Sequence, residues 1–295
     1  MRPGACLQVL IHEQQCEAGR PPSSIMKFQP AMKPHLIQPS ATDAPSVQIQ
    51  LLGRAPYSSR DPVRMHSLGI ALQRQQGVHA IASDRRVDFD TWPGTLSHTP
   101  AGIEVFSESA TGGEYLVLRY APHEADAPGP SRRVSRTGQR AALQIALHLR
   151  RLLLCDRPDA LAIEQSALRL LECSKSGPRI ADAHPDAGYG RVLDRIAAEF
   201  DRPLRIADLS AMVDTSPLRF LREFTRRTGM TPHAWITETR LQAARAMLQS
   251  ADLPLVQIAL ECGFNHQSHM GQAFRKHLGL TPGRYRQPKS PSLTP

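Results

Sequence analysis

The fold is decided by a stretch that the sequence contains twice, FTRRTGMTPHAW at residues 224–235 and FRKHLGLTPGRY at residues 274–285. The Phe, the Gly, the Thr-Pro pair and a final aromatic residue recur at an offset of 50 residues. Further upstream the match continues at an offset of 49, where Leu209 corresponds to Ile258. A repeat of this length indicates one supersecondary unit that is used twice.

The second copy predicts two helices joined by a tight turn. Apolar residues at helical spacing follow Pro254, and Gly263 allows the positive φ that ends the first helix. Asn265 is the predicted N-cap of the next helix. In that helix, apolar residues recur every four positions from Met270 and form one buried stripe, which ends at Gly279. Two helices with this connection are typical of a helix-turn-helix unit.

The first copy has the same organisation. Asp214 replaces the turn glycine, and Asp tolerates the left-handed region better than most residues. Ser216 and Pro217 supply an N-cap and a proline at the first helical position, and Gly229 ends the helix. A longer helix, from about residue 232 to residue 250, is predicted between the copies and would fix their spacing.

The charge of this region favours nucleic acid as a partner. Residues 191–289 contain fifteen Lys and Arg against nine Asp and Glu, and the whole chain carries a formal net charge of +9. A basic domain with two helix-turn-helix units has the electrostatic footprint of a DNA-binding protein.

At this point the chain resembles a known family, the AraC/XylS transcriptional regulators. The resemblance covers about a hundred residues. It rests on two runs of matched positions: Ser216-x3-Phe220-x-Arg222-x-Phe224-x4-Gly229-x-Thr231-Pro232, with Arg240-Leu241-x2-Ala244-x3-Leu248, and Ile258-Ala259-x2-Cys262-Gly263-Phe264-x3-Ser268-x5-Phe274-Arg275-Lys276-x2-Gly279-x-Thr281-Pro282-x2-Tyr285-Arg286.

The resemblance implies two recognition helices in successive major grooves, about one helical turn (~34 Å) apart. Base contacts are then expected from one set of residues: Leu218, Arg219, Leu221, Arg222, Ser268, His269 and Gln272. Phosphate contacts, which position the protein without specifying sequence, are expected from a second set: Ser216, Arg226, Arg227, Arg275 and Lys276.

Three positions depart from the family pattern. Gln272 stands where Arg is usual, Met270 where an aromatic residue is usual, and Ser210 where a small apolar residue is usual. These departures leave the target sequence open but do not affect the predicted fold.

The N-terminal part of the chain has a different period. From about residue 46 to residue 120 apolar residues alternate with polar ones, and turn signals separate the short segments, among them Gly77, residues 92–94, residues 100–102 and residues 112–113. This pattern predicts a β-sandwich or barrel. The resemblance implies a cupin-like effector or dimerisation domain here.

Three histidines lie on candidate strands in this part: His66, His79 and His98. Each is interpreted as an ordinary histidine, because no pair of His or Cys stands at metal-ligand spacing. No set of nucleophile and base is visible either. An enzyme in the β-rich part therefore remains only the weaker alternative, and no cofactor or metal is expected.

Two amphipathic helices are predicted after the strands, from residue 139 to 154 and from Pro158 onward. They either support dimerisation or pack only on the β-rich domain. The chain is thus divided into five segments: a disordered segment (1–45), a β-rich regulatory domain with C-terminal helices (46–173), a linker (174–190), a DNA-binding domain (191–287) and a tail (288–295).

The five cysteines are scattered and odd in number, and no apolar run approaches 18 residues. These features predict a protein of the reducing cytoplasm that does not cross a membrane. The sequence therefore predicts a multi-domain, non-enzymatic transcription regulator, interpreted as an activator. Its expected partners are double-stranded DNA, RNA polymerase, a second copy of the chain and a small-molecule effector. The alternative is a regulator without an effector, whose N-terminal domain only dimerises.

Overall fold

The computed structural model describes residues 8–12, 47–61, 64–121, 132–155, 158–175 and 187–286. Ten strands occur in these residues: β1 (Gln8–His12), β2 (Gln48–Leu52), β3 (Tyr57–Arg60), β4 (His66–Ala71), β5 (Gln75–Ile81), β6 (Val87–Thr91), β7 (Leu96–Thr99), β8 (Val105–Ser109), β9 (Tyr115–Tyr120) and β10 (Val134–Arg136).

Nine helices occur in the same ranges: α1 (Arg140–Leu154), α2 (Ala160–Lys175), α3 (Ala187–Glu199), α4 (Ile206–Ala211), α5 (Pro217–Thr228), α6 (Pro232–Ser250), α7 (Leu255–Glu261), α8 (Gln267–Leu278) and α9 (Pro282–Arg286). The strands precede all the helices. This order confirms the predicted β-rich N-terminal part with a helix pair and the all-α C-terminal part.

The strands form two sheets. The larger has the order β1-β2-β9-β4-β7-β10, and the smaller has the order β3-β8-β5-β6. β1 and β2 are parallel, and all the other pairs described are antiparallel. The period-two pattern of the sequence thus corresponds to strands, the last of which before residue 121 is β9.

Gly77 is a correction, because the sequence analysis assigns it to a turn and the structure places it inside β5. A Cβ atom at this position would lie 2.0 Å from the carbonyl oxygen of Glu108 in the neighbouring strand. The glycine therefore permits a close backbone approach between β5 and β8, which is the other common reason for a glycine in a strand.

One hydrophobic core connects the larger sheet to the helices. Ile49, Leu68 and Leu118 are fully buried on one face of that sheet, and they belong to the same cluster as residues of α1 and of the C-terminal helices. α1 lies against β4 on one side and against α8 on another. Because of this position, α1 connects the β-rich part to the helices that follow.

The histidines on the strands make ordinary contacts. His98 Nε2 is 3.0 Å from the Tyr120 hydroxyl, and the ring of His66 stacks on the same tyrosine at 5.1 Å. Burial lowers the pKa of His98, with a further contribution from His66. The ring of His79 stacks on Phe89. Within the described ranges, no group of three or more His, Cys, Asp or Glu is arranged to hold a metal ion.

Some predicted boundaries differ from the structure. Residues 8–12 form β1, where the sequence analysis predicts disorder, and the rest of the N-terminal segment up to residue 46 lies outside the described residues. α3 begins at Ala187, which lies within the predicted linker. Residues 176–186 of that linker and the predicted tail lie outside the described residues. None of the helices in the described part of the chain is both long and apolar enough to cross a membrane.

Candidate nucleic-acid interface

The first helix-turn-helix unit consists of α4 and α5, which join at Asp214. This residue has a φ of +47°, the left-handed conformation that the sequence predicts at the turn. The Thr215 N–H donates to the Ser210 carbonyl at 3.2 Å and closes the turn. Pro217 occupies the start of α5, and Gly229 ends the helix with a φ of +72°. The predicted geometry of the unit is therefore present.

The buried side of α5 is fixed by aromatic residues. Phe220 and Phe224 are fully buried. The Phe220 ring stacks on Tyr189 of α3 at 5.9 Å, and the Phe224 ring meets Trp235 of α6 edge-on at 5.7 Å. Contacts of this kind orient a helix as well as burying apolar area. They leave the opposite side of α5 in solvent.

The solvent-facing side of α5 carries the four residues predicted to contact bases in the first unit. Arg219 and Arg222 are exposed. Leu218 and Leu221 are exposed to 61% and 38%, although both are large apolar side chains. An apolar side chain on a polar surface suits contact with a thymine methyl group, and Arg suits the two acceptors of guanine.

The second unit consists of α7 and α8, which join at Gly263. The φ of Gly263 is +75°, and a Cβ there would lie 2.8 Å from backbone atoms of Asp201. The turn therefore packs against the segment between α3 and α4 with no space for a side chain. Phe264 follows the glycine and is buried.

The N-cap of α8 is a correction. The sequence predicts Asn265 at this position, whereas in the structure it is His266. The Nδ1 atom of His266 accepts a hydrogen bond from the His269 N–H at 3.1 Å. Asn265 lies one residue earlier and is exposed. Because the imidazole can supply the same acceptor as an Asn side chain, the helix begins one residue later than predicted.

The residues predicted to contact bases in the second unit lie on α8. Ser268 and Gln272 are exposed, and His269 is half-buried. The His269 ring lies edge-on to the buried Phe264 ring at 5.4 Å, which restricts its movement. Gln272, with a free amide, suits adenine.

The predicted phosphate contacts have different surroundings. Ser216, Arg275 and Lys276 are exposed. Arg226 is exposed but forms an ion pair with Glu223 at 2.7 Å, and a hydrogen bond from Arg226 lowers the pKa of Glu223. The Arg227 guanidinium lies 4.5 Å from the centre of the Tyr189 ring. In this arrangement Arg227 contributes to packing between α3 and α5.

α1 contacts both units at positions that are equivalent in the repeat. A Cβ at Gly229 would lie 3.1 Å from a Leu143 methyl group, and a Cβ at Gly279 would lie 2.9 Å from Arg151 Cγ. Gly229 and Gly279 end α5 and α8, respectively. The helix from the N-terminal part therefore lies against the C-terminal ends of both candidate recognition helices.

A buried network of charged groups joins the two parts. Arg150 of α1 pairs with Glu114, which precedes β9, at 2.8 Å and with Glu238 of α6 at 2.5 Å. Arg245 of α6 pairs with Glu114 at 2.7 Å. The Gln242 amide donates to both carboxylates, at 3.1 Å to Glu114 and at 2.7 Å to Glu238. These groups form one polar cluster around α6, the helix between the two units.

The network holds both carboxylates ionised. Burial by itself raises the pKa of Glu238, but the charge and hydrogen bonds of Arg150 outweigh it and lower the pKa to about 2. Burial likewise opposes ionisation of Glu114, whose pKa is nevertheless lowered by Arg245 and Arg150. Buried charges of this kind are stable only when they are paired.

This network was not predicted, although the sequence contains a signal for it. Glu238 and Arg245 lie on the same helical face as the apolar residues Trp235, Leu241 and Leu248. A charged residue within an apolar stripe is rarely buried unless it is paired. Two opposite charges seven residues apart on one stripe therefore indicate partners from another element.

Comparison with known proteins gives the same assignment for the C-terminal part. A family model described as "Helix-turn-helix domain" matches residues 209–288. Among curated proteins, the probable transcriptional regulator LumQ of Photobacterium leiognathi is 33% identical over 90 residues, which are 30% of this chain and 36% of LumQ. The HTH-type transcriptional activator RhaR of Klebsiella pneumoniae is 27% identical over 165 residues, which are 54% of this chain and 58% of RhaR.

Among solved structures, a transcriptional regulator of Chromobacterium violaceum with an AraC-type DNA-binding domain is 31% identical, with a TM-score of 0.32, over 34% of this chain and 94% of that one. In the two curated relatives, LumQ and RhaR, the matched segments span only about a third and about three-fifths of the length. The family model and the two curated regulators confirm the predicted resemblance, which is carried mainly by the helix-turn-helix region.

Proposed function

We propose that this protein is a transcription regulator that binds double-stranded DNA in a sequence-specific manner through α5 and α8. The observation that carries the proposal is the duplicated unit, in which two helices of twelve residues are each anchored by buried residues and each expose a polar or mixed face. Two such helices on one domain suit successive major grooves, about one helical turn (~34 Å) apart.

In this proposal the two helices contribute different base contacts. Arg219 and Arg222 of α5 donate to guanine, while Leu218 and Leu221 contact thymine methyl groups. On α8, Ser268 and Gln272 contact base edges, and His269 contributes from a more restricted position. The exposure of these side chains in the free protein supports their assignment.

Phosphate contacts are assigned to Ser216, Arg226, Arg275 and Lys276, in agreement with their exposure. Arg227 is assigned a smaller part, because its guanidinium lies over Tyr189. Contacts of this kind supply affinity that depends on salt concentration and is nearly independent of sequence.

The N-terminal β-rich part is proposed to be the regulatory part. α1 contacts both units and the buried network reaches α6, so a change in the β-rich part is transmitted directly to the helices that bind DNA. The proposed partners are RNA polymerase, a second copy of the chain and a small-molecule effector. The whole chain is therefore proposed to act as a cytoplasmic, non-enzymatic regulator that activates transcription.

The test begins with selection of bound sequences from a random DNA pool, followed by titration of the selected duplex. We expect Arg222→Ala to lose about 1–3 kcal/mol of binding free energy and to relax specificity at one base pair. Gln272→Ala should relax a second position, about one helical turn (~10 base pairs) from the first. Arg169→Ala, an exposed arginine of α2, is the matched control.

The spacing of the two relaxed positions distinguishes recognition by both helices from recognition by one helix or by neither. If both variants bind the selected and the random duplex as the unmodified protein does, α5 and α8 are not the recognition helices. If only one position relaxes, a single unit reads the sequence and the proposal of paired contacts is wrong.

A further inference from the structure

A cleft of about 350 Å³ lies between the N-terminal part and the helix-turn-helix region. One wall is the exposed face of α1, with Arg140, Gln144, His148 and Arg151 at helical spacing. The other wall consists of the connection between α5 and α6, the first turns of α6 and the last turn of α8. Its volume is in the range of small-molecule sites in proteins.

The cleft is lined by an excess of positive charge. Arg140, Arg151 and Lys276 are exposed, and within the described ranges none of them has a carboxylate within 4 Å. Glu238 also lines the cleft, but Arg150 and Gln242 already bind its carboxylate. The buried Arg150 lines the cleft too, and its Nε atom has no hydrogen-bond partner in the described part of the chain.

Helix dipoles explain only part of this charge. Arg151 and Lys276 lie in the last turns of α1 and α8, where a cation interacts favourably with the helix end, by about 0.3–1 kcal/mol. Arg140, by contrast, is the first residue of α1, and the first turn of that helix contains no acidic residue. A cation at this end is unfavourable for α1 itself, although Arg140 also lies beside Gly229, which ends α5.

We propose that the cleft binds a small phosphorylated molecule with at least two negative charges. Arginine and lysine form charge-assisted hydrogen bonds to phosphate oxygens, and Arg can bind two of them at once. Gln144 and Thr231, which also line the cleft, supply neutral hydrogen-bonding groups for the rest of the molecule. Three cations without ion pairs favour a polyanion over a singly charged carboxylate.

Occupation of this site reduces DNA binding, a consequence that rests on the proposed function. Lys276 lines the cleft and is also an assigned phosphate contact on α8. A ligand that binds Lys276 competes for it with the DNA backbone. Because coupling between two sites is reciprocal, DNA reduces the affinity for the ligand by the same factor.

The test uses the full chain and pyrophosphate as the probe, with citrate at matched ionic strength as the carboxylate counterpart. Calorimetric titration should show saturable binding of pyrophosphate. Arg140→Ala and Arg151→Ala should each weaken that binding about tenfold, the effect expected for loss of one charged hydrogen bond. Arg169→Ala, which removes an exposed arginine from α2, should leave it unchanged.

Several results would overturn the site. These are no saturable binding of pyrophosphate at millimolar concentration, equal weakening by Arg169→Ala, or binding of citrate in preference to pyrophosphate. Arg222→Ala separates this proposal from the previous one, because it should weaken DNA binding and leave pyrophosphate binding intact. Pyrophosphate should also weaken DNA binding at constant ionic strength in the unmodified protein, and Arg151→Ala should need about tenfold more pyrophosphate for the same effect. An equal effect on both proteins at the same pyrophosphate concentration would overturn the coupling.

Discussion

In the first unit the turn is formed by Asp214, whereas in the second it is formed by Gly263. Among the candidate base-contacting residues, the first recognition helix exposes Leu218, Leu221 and two arginines, whereas the second exposes Ser268 and Gln272. Both helices nevertheless end at a left-handed glycine that lies against α1. The comparison shows that the repeated residues specify the scaffold and that the residues that differ are free to serve recognition.

The largest expected effect concerns the element that the two units share. Glu238→Ala in α6 leaves Arg150 buried without its bidentate partner, and removal of one partner of a buried pair costs about 3–5 kcal/mol. We expect the free energy of unfolding, measured by urea denaturation, to fall by that amount. Glu172→Ala, at an exposed position of α2, is the control and should change it by less than about 0.5 kcal/mol.

The same network predicts a dependence of stability on pH. The pKa of Glu238 is about 2 in the folded chain and 4.5 ordinarily, so the unfolded chain takes up the proton at higher pH than the folded chain. The stabilisation from Glu238 is thus complete above pH ~4.5 and is lost as the pH falls through ~2. Glu238→Gln should have a shallower loss of stability in this range. Parallel profiles for the two proteins would show that the carboxylate is not paired as described.

The next prediction changes the residue at each of the two turns. Gly263→Ala places a methyl group 2.8 Å from the Asp201 backbone and also forces Ala into the left-handed region. The backbone term alone is about 1–2 kcal/mol, and the steric conflict adds to it, so we expect a loss of about 2–3 kcal/mol in unfolding free energy. Asp214→Gly relieves the strain of a non-glycine residue in the left-handed region, because glycine adopts this conformation without strain.

For Asp214→Gly we therefore expect no loss, or a gain of up to about 1 kcal/mol, since the relief of strain is partly offset by the flexibility of glycine in the unfolded chain. Thermal melting of the two variants under identical conditions gives the comparison. Equal destabilisation would mean that the two turns are not equivalent in structure and that the repeat does not extend to them.

The sequence predicted the helix-turn-helix region closely, and the reason is local. α6 has the predicted bounds and α8 ends at the predicted glycine, because proline, threonine and glycine fix the ends of a helix through neighbouring backbone groups. The N-cap of α8 was missed because a histidine served where Asn was expected. The ability of the His266 ring to accept a hydrogen bond depends on its tautomer and orientation, which the sequence does not show.

The β-rich part was predicted less completely, because sheet partners are distant in sequence. β3, β7 and β8 have weak alternation of their own, and Gly77 was assigned to a turn because its reason, the close approach of β8, lies 31 residues away. The network of Glu114, Arg150, Glu238 and Arg245 also joins residues far apart in sequence. The candidate base-contacting residues, by contrast, were named from the family resemblance at matched positions, and the structure shows six of the seven as exposed.

The smallest expected effect compares one phosphate contact from each unit. Arg275 of α8 is exposed, whereas the Arg226 guanidinium of α5 is already neutralised by Glu223. Loss of one phosphate contact should reduce the slope of log binding constant against log salt concentration by about 0.9. We expect this full reduction for Arg275→Ala and a smaller one for Arg226→Ala, because a paired cation displaces fewer counterions from DNA. Glu223→Gln frees Arg226 and should steepen the slope. The contrary result is that Glu223→Gln leaves the slope unchanged and that Arg226→Ala reduces it as much as Arg275→Ala does. In that case the ion pair breaks when DNA binds, and Arg226 and Arg275 make equivalent contacts with the DNA backbone.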